Sequence, residues 1–298
     1  MTLTMTTDGV ARPARRTRRL GVLQPIIHTW SGRVGLIITS AILLVIVVGP
    51  WLAPHSPEEL AVGLPLSPPS DGLPLGTDQL GRDVFSRFLA GGRMVLLVPL
   101  VAVALSTLTG GLLGITAGYL GGRFDQIVAR AFDVLLTLPP LLIALAIIAG
   151  FGSSATVLLL TVAAIFAPQV GRVARGAALA VVTADYVQAA RARGERPLTI
   201  VIREIAPNIV GPLMSDLALR VTYGVIFVAS LNFLGLGAQP PSSDWGLSVA
   251  TNFGYIQVQP WATVAPAVGI AALSVGLNLM ADSAIRYVTN DATKDSML

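Results

Sequence analysis

The sequence predicts an all-α membrane protein of six transmembrane helices, both termini cytoplasmic, with a short cytoplasmic helix-turn-helix between the fourth and fifth spans. Three observations carry this. Of 298 residues, 53% are hydrophobic and only 12% charged, where soluble domains carry roughly a quarter charged residues. The apolar residues fall in blocks of about 20, the length a helix needs to cross roughly 30 Å of hydrocarbon. The basic residues gather beside alternate ends of those blocks, which is the topology signal of a multi-pass chain.

Residues 1–33 read as a basic, cytoplasmic N-terminal arm, with Arg12, Arg15, Arg16, Arg18 and Arg19 in a polar stretch too poor in apolar residues to form a core. The first apolar block, 34–52, follows Arg33. It is longer than the h-region of a signal peptide, and Pro54 stands where a small-residue cleavage site would lie, so a retained anchor is expected. An extracytoplasmic segment, 53–93, holds Pro54, Pro57, Pro65, Pro68, Pro69 and Pro74, an irregular loop ahead of a short helix near 79–90. Within that helix Asp83 and Arg87 are spaced to form an i,i+4 pair.

Residues 94–285 form the transmembrane core. Its apolar blocks lie near 94–120, 131–149, 155–171, 212–236 and 262–281, and a cytoplasmic tail, 286–298, follows. Sixteen of the twenty Lys+Arg residues then fall on one side, against Arg82, Arg87 and Arg93 on the other and Arg220 within a span, which makes the arginine-rich side cytoplasmic. Trp51, Trp245, Tyr255 and Trp261 fall near the outer ends of spans, where amphipathic rings favour the membrane interface. Gly110, Gly114, Gly118 and Gly122 make a small-residue stripe suited to close helix packing, within this bundle or against a second membrane subunit. Pro139-Pro140 and Pro168 predict kinks.

Composition removes several kinds of chemistry. Cysteine is absent and the two histidines, His28 and His55, flank the first span, so no metal site built on clustered Cys or His is expected. Nineteen of the twenty basic residues are arginine, and Lys294 is the only lysine, so the chain has no Walker A lysine and no ATPase site of its own. The basic residues sit beside apolar segments rather than in a nucleic-acid-binding patch, despite a pI near 10.0.

The strongest local signal is TADYVQAARARGERPLTIVIREIAPN, residues 183–208. Asp185 is placed to N-cap a first helix, Gly194 to stop it, Pro197 to start a second and Pro207 to end that one. Small side chains on an exposed helix suit docking into another protein's groove, and tethering to the membrane disfavours DNA. Asp216 and Arg220 are four apart within the fifth span, where they face each other, a second subunit or a polar substrate. Asn232 is a similar polar position near that span's outer end.

Gln188-Ala189-Ala190, with Gly194 four residues on and Pro207 thirteen beyond that, resembles the EAA loop of binding-protein-dependent ABC importer permeases. Gln188 stands where that motif has glutamate, and Ala206 where leucine usually precedes the proline. PLGTDQLGRDVFSR at 74–87, GYLGGRFD at 118–125 and SLNFLGLGAQPPSSDWG at 230–246 narrow the resemblance to the dipeptide, oligopeptide and nickel permeases, C-type subunit, across roughly residues 30–287. The resemblance implies a type I ABC importer permease fold in the bacterial inner membrane. It implies a translocation path shared with a second permease as a heterodimer, one or two ATP-binding subunits that use ATP and Mg, and an extracytoplasmic binding protein that delivers peptides. It places Tyr186, Gln188, Ala189, Ala190, Arg191, Gly194 and Pro207 in the loop that couples to the ATPase. Asp216, Arg220 and Asn232 are candidates for the path.

Competing functions are import of nickel or another small ligand by the same machinery, an ion-coupled secondary transporter, and an intramembrane hydrolase. A secondary transporter needs intramembrane carboxylates and often an internal repeat, yet only Asp216 lies clearly in a span. A hydrolase needs a nucleophile with a base or paired carboxylates, and neither histidine lies in a span.

Overall fold

The computed structural model describes residues 29–295. The arginines and histidine of the arm before Thr29, and the side chain of Lys294, lie outside the described residues. The described residues contain five helices long and apolar enough to cross a membrane, and a sixth span if one sharply bent pair counts as one.

Helix α1, Trp30–Leu52, is opened by the Thr29 hydroxyl, which accepts the Gly32 amide at 3.1 Å. Helix α2, Val84–Leu120, is 37 residues long. The short outer helix expected near 79–90 is therefore the beginning of the second span. The cause is local: Asp83 is the N-cap, its carboxylate accepting from the amides of Phe85 at 3.0 Å and Ser86 at 3.2 Å. Asp83 is thus not the partner of Arg87, whose guanidinium reaches the carbonyls of Pro57 and Ser242, each at 2.7 Å, and lies 3.7 Å from Asp78.

After Gly121 comes α3, Gly122–Thr137, and then α4, Pro140–Phe151, bent from it by 89°. The expected continuous span over 131–149 with a kink is in fact two helices. Leu138 and Pro139, each followed by proline, take extended backbone angles, as residues before proline prefer, and the helix breaks there. Helix α5, Ala155–Val181, runs unbroken through Pro168.

The small-residue stripe joins α2 to α5. Gly110 faces the backbone of Ala167, Gly114 that of Gly171, and Gly118 approaches Arg175 and Ala178, so the two helices run in the same direction in close contact. Packing within the bundle, not a second subunit, uses these three positions. Gly122 meets nothing and belongs to the turn into α3. The main core cluster forms around this seam, with Val103, Val162, Val228 and Leu231 fully buried.

Helix α6, Asp185–Ala192, and a second short helix, α7, Pro197–Ile200, follow α5. The chain then passes through a π-helical turn, Val201–Ile205, and a 3₁₀ turn, Ala206–Ile209, into α8, Val210–Phe233. Pro207 therefore does not end the second helix. It lacks an amide donor, and the ladder shifts register around it, with the Ala206 amide donating to the Val201 carbonyl five residues back. Residues 197–233 form one helical rod. A short helix, α9, Trp245–Asn252, precedes α10, Trp261–Asp295, which continues well past the expected end of the last span.

Trp245 is not part of an interfacial belt. It is fully buried, stacked on Phe88 with centroids 5.3 Å apart, and its Nε1 donates to the Phe88 carbonyl at 2.8 Å. Trp51, Tyr255 and Trp261 are exposed.

Candidate functional site

The helix-turn-helix at 183–209 sits at the end of the bundle where α2 and α5 finish, and its two faces differ. Val187 and Ala190 on α6, with Ile200, Val201, Ile205 and Ile209 beyond the turn, are buried against Ile115, Tyr119, Ala174 and Ala178 of the bundle. This anchors the loop by apolar burial, worth about 1.5–3 kcal/mol for each large side chain. The opposite face exposes Gln188, Ala189, Ala192 and Arg193, together with Leu198 and Ile202 past the turn. A ridge of small side chains flanked by arginine and two exposed aliphatics is shaped for insertion into another protein's groove.

The turn itself is a Schellman motif. The Gly194 amide donates to the Arg191 carbonyl at 2.9 Å and the Glu195 amide to Ala190 at 3.3 Å, with Gly194 at φ +74°. That left-handed conformation favours glycine. A β-carbon at Gly194 would meet nothing within 4 Å, so the constraint is backbone conformation rather than space. Asp185 proves to be the first residue of α6 rather than its cap. Ala184 takes the cap position and no side chain caps the helix, so Asp185 contributes only a favourable charge at the helix N-terminus.

Two contacts tie the loop to the bundle. The Arg191 guanidinium lies 4.6 Å from the centre of the Tyr119 ring and donates to the Tyr119 carbonyl at 3.2 Å, joining α6 to the last turn of α2. The Gln188 side-chain amide donates to the Val182 carbonyl at 3.0 Å, capping α5. An ionised glutamate could not donate there, so the departure from the family motif has a structural use. Tyr186 is half-buried against the same cluster, and Pro207 is exposed.

The intramembrane pair is closed on itself. Asp216 accepts from Arg220 at 2.6 and 2.8 Å, and the Arg220 guanidinium also donates to the Gln169 side-chain Oε1, which links α8 to α5. Asn232 is fully buried at the other end of α8, donating to Asp244 at 2.9 Å and accepting the Ala238 amide at 2.9 Å. Asp244 also caps α9 by accepting the Leu247 amide at 3.1 Å, and burial pushes its carboxyl up to about 6.

Sequence reasoning missed a polar core at that end. Asp78 accepts from Arg82 at 2.7 Å with both side chains buried, and Gln259 donates to the carbonyls of Ser67 at 2.7 Å and Leu75 at 3.0 Å. The i,i+4 spacing of Asp78 and Arg82 was the available signal. His55 meets Asp83 at 3.4 Å while the Ser86 hydroxyl donates to the same carboxylate at 2.5 Å, so Asp83 holds both side chains and the two do not form a nucleophile–base pair.

A bundle of apolar spans that carries an anchored, two-helix loop at one end has the build of a membrane transport subunit. Comparison with known proteins agrees. Residues 110–293 match the model of the binding-protein-dependent transport system inner membrane component. The chain is 37% identical to the probable D,D-dipeptide transport system permease protein DdpC of Escherichia coli (strain K12), over 91% of this chain and 92% of that protein. It is 34% identical to the di/tripeptide transport system permease protein DppC of Pseudomonas aeruginosa (strain UCBPP-PA14), over 87% and 88% respectively. The dipeptide permease DppC of Alkalihalophilus pseudofirmus is also 34% identical, over 84% of this chain and 82% of that one. In fold, the chain resembles a chain of the MetNI methionine ABC transporter in an inward-facing conformation, with TM-score 0.54, 16% identity, and coverage of 66% of this chain and 94% of that one. The chain belongs to the family of binding-protein-dependent transport system inner membrane components, the permease subunits of ABC importers.

Proposed function

We propose that this chain is one of two permease subunits in an ATP-driven importer of di- or oligopeptides, with the loop from Tyr186 to Pro207 as its contact with the ATPase. The observation that carries the reading is the two-faced loop. Its inner face is fixed to α2 and α5 by buried aliphatics and Arg191, while its outer face presents small side chains around the Gly194 turn. A docked ATPase that closes on ATP would move this loop with the helices it grips, switching the bundle between inward-open and outward-open states. Because the rod from 197 to 233 runs without a break from the turn into the fifth span, motion at the loop reaches the membrane directly.

In this reading ATP and Mg belong to one or two partner ATPase subunits, the second permease is a different chain, and an extracytoplasmic binding protein delivers the cargo. The peptide assignment rests on the names of the relatives, which are di- and tripeptide permeases. The arginine distribution supports an inner-membrane topology with both termini cytoplasmic. Asp216 and Arg220 enter as an internally neutralised pair that holds α8 to α5, and a contact with a zwitterionic peptide would require that pair to open.

The test is purification of the tagged protein from detergent-solubilised membranes, followed by assay of ATPase activity and peptide uptake. A second permease and a Walker-containing ATPase are expected to co-purify. Gly194→Val, which strains the Schellman turn by roughly 1–2 kcal/mol, is expected to lower uptake at least tenfold with normal membrane insertion. Recovery of the chain alone, with uptake driven by an ion gradient, would favour the secondary-transporter reading.

A further inference from the structure

Between α3 and α5 lies an open depression of about 710 Å³ whose polar lining is supplied mainly by Arg123, Gln126, Arg130, Asp133 and Arg175. Two of its charges are already neutralised. Arg175 binds Asp125 through two hydrogen bonds of 2.5 and 2.6 Å, and Asp133 accepts from Arg172 at 2.7 Å. Arg123 and Arg130 have neither an ion-pair nor a hydrogen-bond partner among the described residues, and both are exposed. Seven residues apart on one helix, they lie on the same face, two turns from each other, with Gln126 between them as a further donor. The site therefore holds two uncompensated guanidiniums with forked donors suited to phosphate oxygens.

The apolar surroundings identify what kind of anion fits. Phe124 and Ile127, beside these arginines on the same helix, are exposed at 41% and 68%. Val134 and Leu135, further along α3 before it ends at Thr137, are exposed as well. A soluble anion would use the arginines and leave that apolar surface in water. An amphiphile with an anionic headgroup and acyl chains satisfies both, and the cytoplasmic leaflet is where anionic lipids meet basic side chains.

We propose that Arg123 and Arg130 form a binding site for the phosphate headgroup of an anionic phospholipid, whose chains lie along the exposed apolar face of α3. The inference rests on the topology proposed above, which puts this end of the bundle at the cytoplasmic leaflet. Peptide transport is not involved in its readout, so an error in the assigned cargo or coupling leaves it intact. A lipid here would brace α3 against α5 beside the Gly114–Gly171 contact, a few turns from the docking loop.

The experiment is titration of the full-length protein in detergent with phosphatidylglycerol or phosphatidylcholine, read by native mass spectrometry. A roughly tenfold preference for phosphatidylglycerol is expected, falling to about twofold or less in Arg123→Gln/Arg130→Gln with thermal unfolding unchanged. Arg123→Lys/Arg130→Lys, which keeps both charges, should retain a preference of several-fold. The proposal is overturned if the glutamine variant keeps the full preference, or if the lysine variant loses as much as the glutamine variant. Displacement of the lipid by an equal concentration of inorganic phosphate would overturn it in favour of a soluble-anion site. Loss of a co-purifying ATPase from the glutamine variant, with the lipid preference kept, would overturn it in favour of a protein contact.

Discussion

Gly110 lies so close to Ala167 that a β-carbon there would overlap the Ala167 carbonyl, whereas one at neighbouring Gly111 meets nothing within 4 Å. Gly110→Val should therefore force α2 from α5 and destabilise the protein by about 1–3 kcal/mol, while Gly111→Ala is neutral or slightly stabilising; thermal unfolding in detergent distinguishes them. Asp244 makes a prediction of a different kind. Its carboxyl titrates at about 6 in the folded chain, above its ordinary value, so folding favours the protonated form. Its stabilising contribution is full below about pH 4 and is lost as pH rises through about 6, a swing of at most about 3 kcal/mol. Unfolding temperature should fall between those values, and Asp244→Asn, which keeps an N-cap oxygen, should flatten the profile. An equally steep profile in the variant would assign the dependence to another group.

Among the elements, α8 carries the clearest separation between what a sequence can and cannot disclose. Asp216 and Arg220 announce their pairing by spacing alone, because residues four apart on a helix are neighbours. Their third partner, Gln169, is 51 residues away and is found only by folding. The pair makes an ordered prediction: Asp216→Ala leaves the Arg220 guanidinium without its carboxylate and Arg220→Ala the reverse, whereas replacing both removes both charges. Membrane-inserted yield should fall in either single variant and recover in the double one. A double variant as poor as the worse single one would mean that the two side chains have separate duties. The loop around Gly194 was legible in outline because helix stops and starts are local signals. Its continuation through Pro207 was not, since a proline reads as an end unless the ladder can shift register around it. Asp83 shows the same limit: its spacing suits a pair with Arg87 as well as a cap, and distant carbonyls at Pro57 and Ser242 decide the outcome.

For the whole molecule, five spans could be read directly from apolar blocks of bilayer length, and a sixth only if the bent pair α3–α4 counts as one. The polar core at the far end could not, because Trp245, Gln259 and Arg87 are buried by residues more than 100 positions away. Those contacts join the segments on either side of the bundle into one cap, while the two-helix loop around Gly194 is fixed at the opposite end. The two ends are connected by α2 and α8, each 37 residues long when α8 is counted from Pro197, or about 55 Å at 1.5 Å per residue.

The chain contains no cysteine, which makes the proposed docking surface open to a direct measurement. Ala189→Cys places a thiol on the exposed face of α6, and Ala190→Cys places one on the fully buried face one residue on. In the assembled complex, a short thiol-reactive crosslinker should join the Ala189 variant to the ATPase subunit, with a yield that changes on adding ATP, and leave the Ala190 variant uncoupled. Equal crosslinking of both variants, or none from Ala189→Cys in a complex that still contains the ATPase, would contradict the account that this loop is the docking site.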